Sequence, residues 1–172
     1  TRLQDTTLSQ PLLFAIQMGT TILLKNLGIV PQAVMGHSVG EITAAWAVGA
    51  LSLQQAAQVI YARSHAQGKT RGAGRMAALG LSATAALELI QQMDLTGDVE
   101  IAGINSPSNV TLSGKLNALL QIQAHVQPQN TFFHLLELDY AFHSSNMDSI
   151  QGLLARDLEG LFPSPTAAIF VS

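Results

Sequence analysis

The sequence predicts an α/β fold in which a larger α/β core is interrupted by a small βαββαβ unit. Three observations carry that reading. A strand, a tight turn and a helix are expected around Gly36-His37-Ser38-Val39-Gly40. Between about residues 75 and 140, four strand-like and two helical runs follow one another. Hydrophobic residues make up 48% of the 172 and charged residues 11%, the balance of a chain with a large buried core rather than a disordered one.

The first expected helix covers residues 9–27, with Ser9 as N-cap, Pro11 at an early position, and Leu12, Phe14, Ile16, Ile22 and Leu23 as apolar cover. Gly28 stops it. Residues 31–36 read as a short buried strand running into a turn, and 41–48 as a helix closed by Gly49. Ser52 and Gln55 have the spacing of a capping box and open a helix to about residue 67. A linker of three glycines within 68–74 follows.

Beyond it, strands are expected at 76–81, 99–104, 109–112 and 132–139, and helices at 82–93 and 115–126. That βαββαβ order is the order of a ferredoxin-like unit. Residues 1–73 and 140–172 are therefore assigned to the core and 74–139 to the small subdomain. Both ends read as cut, because the chain opens at Thr1 without a methionine and closes at 167–172 on a strand with no element after it.

The formal net charge of -3 offers no electrostatic footprint for nucleic acid or an anionic membrane surface. The absence of cysteine excludes a disulfide framework, a thiolate metal site and a cysteine nucleophile. It also fits a reducing, cytoplasmic setting. No metal site is expected. Gly, Gln, Thr or Lys is expected to break each apolar stretch before the roughly 20 residues that span a bilayer, and no signal peptide is read at the start.

Gly36-His37-Ser38-Val39-Gly40 fits Gly-x-Ser-x-Gly, a pattern that carries a nucleophile when a strand precedes it and a helix follows. Both are expected here, and both glycines are expected to be required by crowding in the turn. The turn projects the Ser38 hydroxyl above the sheet at a helix N-terminus, where developing negative charge is favoured. The backbone N–H of Val39 is a candidate oxyanion donor.

A serine hydroxyl needs a base within hydrogen-bond reach. Of the five histidines, His37 leaves the turn in another direction, His65 and His125 lie on expected helices, and His134 lies within an expected strand. His143 follows that strand, where the chain returns from insert to core, and clefts at such junctions collect active sites. An acid to orient the base is not evident, since Asp94, Asp98, Asp139 and Asp148 stand at no defensible position.

Taken together, these residues resemble a known family. Gly36-His37-Ser38-Val39-Gly40-Glu41 is similar to the Gly-His-Ser-x-Gly-Glu motif of malonyl-CoA:acyl carrier protein transacylases and of the acyltransferase domains of type I polyketide synthases. Tyr140-Ala141-Phe142-His143-Ser144 looks like the family's second signature, which contains the catalytic histidine. Gln10-Pro11-Leu12-Leu13-Phe14, Gly74-Arg75-Met76-Ala77-Ala78 and Asn105-Ser106-Pro107 match in order and spacing. The resemblance implies an α/β-hydrolase-like core holding the elbow.

It also implies that Ser38 attacks an acyl-CoA thioester while His143 takes its proton. The acyl group then passes to the phosphopantetheine thiol of an acyl carrier protein, in polyketide or fatty acid biosynthesis. In this family a backbone carbonyl orients the histidine. Arg63 falls where the family carries the arginine that grips the extender's free carboxylate, a task suited to a planar guanidinium. The same resemblance places His37, Asn105, Tyr140 and Phe142 among substrate-binding residues, implies no bound cofactor, and makes a ketosynthase the neighbouring domain in a megasynthase.

Tyr140-Ala141-Phe142-His143 mixes the family's malonyl and methylmalonyl signatures. The bulk of Phe142, together with Val39 after the serine, leans toward malonyl. The family's Gly-Gln-Gly oxyanion segment and the stretch that orients the histidine are not found, so these residues alone are expected to be inactive. Two other readings share features with this one: a serine hydrolase or thioesterase of α/β type, and a non-catalytic module that docks carrier proteins.

Overall fold

The computed structural model describes residues 2–166 and 168–171. In chain order the elements are α1 (Thr6–Asn26), β1 (Ala33–Met35), α2 (Gly40–Ala47), α3 (Leu53–Gly68), β2 (Arg75–Leu79), α4 (Ala83–Gln92), β3 (Val99–Ser106), β4 (Asn109–Gly114), α5 (Leu116–Val126), β5 (Phe133–Leu135), α6 (Gln151–Asp157) and β6 (Ile169–Val171). Two compact units emerge: Thr1–Gly68 with Gly152–Ser172, and Lys69–Gln151.

In the first unit α1 starts earlier than its sequence suggests. Asp5, not Ser9, is the N-cap, and its carboxylate accepts from the Thr7 N–H at 2.9 Å. An ionised cap satisfies an orphan amide and complements the dipole, which a serine at position 9 does less well. Pro11 accordingly lies inside the helix rather than in its first turn. At the other end Gly28 adopts φ +79, and the Ile29 N–H reaches back to Leu24 O at 3.0 Å in a Schellman closure. The capping box at α3 forms as expected: the Ser52 N–H donates to Gln55 Oε1 and the Gln55 N–H to Ser52 Oγ.

Phe14, Ile42, Leu51, Ala56 and Ile60 make the core that joins α1, α2 and α3. By length and composition α1 is also apolar enough to cross a membrane, the one such helix among the described residues. That corrects the expectation that polar residues interrupt every apolar stretch, because the Gln and Thr residues of α1 are too few to lower its mean hydropathy. The property is shared by core helices of soluble proteins, and α1 contributes Thr6, Gln10 and Phe14 to the interior of this unit. β1 pairs in parallel with β6, Val34 opposite Phe170. The strand expected at 167–172 is thus seen over Ile169–Val171, and Ala167 and Ser172 lie outside the described residues.

The second unit has the element order βαββαβ and one antiparallel sheet in the order β3-β4-β2-β5. Alternate strand positions Ala77, Leu79, Val110 and Leu112 meet Leu89 of α4 and Ile122 of α5 in a closed core. Leu79, Leu112 and Ile122 are wholly buried, each worth roughly 1.5–3 kcal/mol over an exposed side chain. Ser82 caps α4, accepting from the Ala85 N–H at 3.2 Å.

The last expected strand, 132–139, is much shorter as observed. β5 pairs only over Phe133–Leu135, and after the Leu136 N–H bonds to Met76 O the chain leaves the ladder.

The unit boundaries lie at 68/69 and 151/152, outside the 73/74 and 139/140 read from the sequence. Hydrogen bonds and ion pairs explain the shift. The linker is stitched to the second unit, since the Gly72 N–H donates to Asp139 O at 2.9 Å and both Arg71 and Arg75 pair with the Asp139 carboxylate. The segment after His143 is held there too, the Ser145 N–H donating to the Glu100 carboxylate at 3.0 Å. Helix α6 was not legible from sequence, with Gly152 in its first turn.

Candidate active site

Ser38 stands between β1 and α2 with φ +54. A non-glycine residue in that left-handed region costs about 1–2 kcal/mol, and such strain collects at functional positions. The turn is closed by Gly40 N–H to His37 O at 3.0 Å and Glu41 N–H to Ser38 O at 3.2 Å.

Gly36 is required sterically, because a Cβ there would lie 2.3 Å from the Glu41 amide nitrogen. Gly40 is not. A Cβ at 40 would meet only Gln17 Nε2, at an ordinary 3.8 Å, so the expectation that both glycines relieve crowding holds for the first alone. Val39 is the N-cap residue of α2, and among the described residues its N–H donates no hydrogen bond. It is therefore an unspent donor at a helix N-terminus beside the serine.

Arg63 arrives from α3. Its Nη2 donates to Ser38 Oγ at 2.8 Å, and its Nη1 donates to Gln10 Oε1. Burial pushes the guanidinium pKa down from its usual value, and the Glu41 carboxylate opposes that shift. An arginine keeps its proton through the working pH range regardless, so a partly desolvated positive charge rests against the hydroxyl. Such a charge binds a carboxylate far better than one in open water.

Gln10 is a residue of this site to which sequence reasoning gave no role. The buried residues of α1 are Thr6, Gln10 and Phe14, spaced by four. A Thr and a Gln on the buried stripe of an otherwise apolar helix were the signal available. Gln10 Nε2 donates to Gln67 Oε1 at 2.7 Å and also to Thr6 Oγ1.

His37 is exposed on the elbow. It also lines an open cavity of about 610 Å³ with Ile16, Gln17, Met35 and Thr43, a cavity that neither Ser38 nor Arg63 lines. The Ser38–Arg63 pair thus stands outside that hollow.

The remaining candidates lie in the second unit. Tyr140 is buried and its ring stacks on that of Phe142, centroids 4.9 Å apart and planes within 9°. His143 follows, exposed and with φ +57. Ser144 Oγ donates to Ala141 O at 2.7 Å and accepts from the Asn146 N–H, which holds the turn that carries His143. Asn105 lies on the β3-β4 hairpin, where its Nδ2 donates to Thr111 Oγ1 at 2.9 Å. His65, His125 and His134 are exposed. Among the described residues no group of three or more His, Asp or Glu side chains is arranged to hold a metal ion.

Comparison with known proteins adds to this geometry. The family model described as "Acyl transferase domain" matches residues 1–171. The highly reducing polyketide synthase fogA of Aspergillus ruber is 42% identical over 158 residues, covering 91% of this chain and 6% of its own length. Among solved structures, the acyltransferase domain from module 8 of the salinomycin polyketide synthase superposes with a TM-score of 0.93 at 29% identity, over 99% of this chain and 40% of its own. The malonyl-CoA:ACP transacylase of Synechocystis sp. PCC 6803 gives 0.85 at 30%, over 99% of this chain and 56% of its own. The chain thus spans a small part of that synthase and about half of the solved domains.

Proposed function

Because the chain belongs to the acyl transferase domain family, we propose that it serves to move a malonyl-type extender unit from coenzyme A to the phosphopantetheine thiol of an acyl carrier protein. The observation that carries this reading is the 2.8 Å hydrogen bond from Arg63 to Ser38, a carboxylate-binding group beside a strained serine. A hydrolase of simple esters has no use for that guanidinium.

In the proposed reaction Ser38 Oγ attacks the thioester carbonyl while His143 takes the hydroxyl proton. The oxyanion is met by the Val39 N–H. Collapse expels the coenzyme A thiolate, which leaves with the proton from His143, and a seryl ester remains. The carrier's thiol then gives its proton to His143 and attacks that ester. Ser38 departs as the leaving group and recovers the proton. Arg63 holds the malonyl carboxylate throughout.

The finer architecture belongs to the same proposal. The antiparallel order β3-β4-β2-β5 supports a ferredoxin-like small subdomain, and the β1–Ser38–α2 elbow supports an α/β-hydrolase-like core. Tyr140 and Phe142 are assigned to the acyl pocket, with His37 and Asn105 as further substrate contacts. The acyl carrier protein is the acceptor, a ketosynthase the neighbouring domain, and the cytoplasm the setting.

The test is intact-mass analysis of the full-length protein after brief incubation with equal malonyl-CoA and methylmalonyl-CoA. A malonyl adduct absent from Ser38→Ala is expected. Steady release of free acid with no adduct would move the protein to the hydrolases.

A further inference from the structure

The guanidinium that touches Ser38 is held from behind by two buried amides in series. Arg63 Nη1 donates to Gln10 Oε1, and Gln10 Nε2 donates to Gln67 Oε1 at 2.7 Å. Gln10 and Gln67 are each 8% exposed, so water does not readily replace either partner.

The direction of the Gln10 amide matters. A guanidinium has donors only, so it needs the oxygen of Gln10, and the Gln10 nitrogen must then find acceptors on the other side. Thr6 Oγ1 accepts one of its bonds, but a hydroxyl both donates and accepts, so it does not select between the two orientations. An acceptor at position 67 does. With it, a flipped Gln10 would set N–H against the Arg63 N–H on one side and oxygen against oxygen on the other; without it, only the first of these mismatches opposes the flip.

We propose that Gln67 is a positioning residue for Arg63, acting through Gln10, and so contributes to discrimination in favour of acyl groups that bear a free carboxylate. The second part rests on the assignment of Arg63 as the carboxylate-binding group; the first does not. Gln67 sits in the last turn of α3, one turn beyond Arg63, so one rigid helix carries both ends of the relay. The net value of a buried hydrogen bond predicts a modest effect, about three- to tenfold.

Two measurements on the full-length protein separate the parts. The first needs no substrate: rotation of the Arg63 guanidinium about Nε–Cζ, read by NMR, is expected to quicken in Gln67→Met and to stay slow in Gln67→Glu, which keeps an acceptor oxygen. An unchanged rate in the methionine variant overturns the proposal. If that variant folds poorly, Gln67→Asn, which withdraws the acceptor by one methylene, is read the same way.

The second measurement is the ratio of malonyl to acetyl loading on Ser38. It is expected to fall about three- to tenfold in Gln67→Met and to be restored in Gln67→Glu. Equal losses with both acyl groups would mark Gln67 as merely structural. Quickened rotation in Gln67→Met, in a protein whose wild type never takes malonyl, would keep the positioning role and sink the proposed function instead.

Discussion

Arg63 Nη2 lies 2.8 Å from Ser38 Oγ, and the same guanidinium donates through Nη1 to the buried Gln10. Residues 25 positions apart are thereby joined at the one point, among the described residues of the first unit, where the backbone is left-handed at a non-glycine. Removing Arg63 tests what the contact is for. Arg63→Ala is expected to lower kcat/KM for malonyl-CoA roughly 10- to 150-fold, the value of a charged hydrogen bond of about 1.5–3 kcal/mol. Loading of acetyl-CoA should be unchanged or faster. An equal fall for both substrates would show that Arg63 supports the fold rather than the carboxylate.

The elbow makes a prediction about its two glycines. Gly36→Ala places a Cβ 2.3 Å from the Glu41 amide and is expected to destabilise by about 1–3 kcal/mol, with the serine displaced. Gly40→Ala makes one ordinary contact, with Gln17 Nε2 at 3.8 Å, and adds a good helix former to the first residue of α2. It should be neutral or raise the unfolding midpoint. Thermal unfolding of the two variants side by side decides, and equal losses would refute the steric account.

Phe142 stacks on the buried Tyr140. In the proposed pocket its bulk disfavours an α-methyl branch. Phe142→Ser is expected to shift competitive loading toward methylmalonyl-CoA by roughly 10- to 200-fold, the range that one pocket methyl commands. A ratio of adducts unchanged by mass spectrometry would remove Phe142 from selectivity.

Asp139 gathers Arg71, Arg75 and, through its own carbonyl, the Gly72 amide. Its side chain is 33% exposed, so its ion pairs are partly screened. Asp139→Ala is expected to cost about 1–2 kcal/mol in denaturant unfolding at low salt, and less at 1 M salt. A loss insensitive to salt would point to packing instead of charge.

Much of this protein was legible along the chain because its signals are local. Gly36-x-Ser38-x-Gly40 between an apolar run and a helix specifies a turn whose strain arises within five residues. The Ser52–Gln55 box depends on spacing alone, so the start of α3 followed.

What the sequence did not determine are pairings made across distance. Nothing local tells Asp5 rather than Ser9 to cap α1, shortens β5 to Phe133–Leu135, or ties the glycine linker to Asp139. The relay Gln67–Gln10–Arg63–Ser38 spans 57 residues in one step and 53 in the next. A buried amide acquires its orientation only from the partner that folding brings to it. The residue types and their order therefore belong to the sequence, while the direction in which each donor points was decided by the tertiary structure.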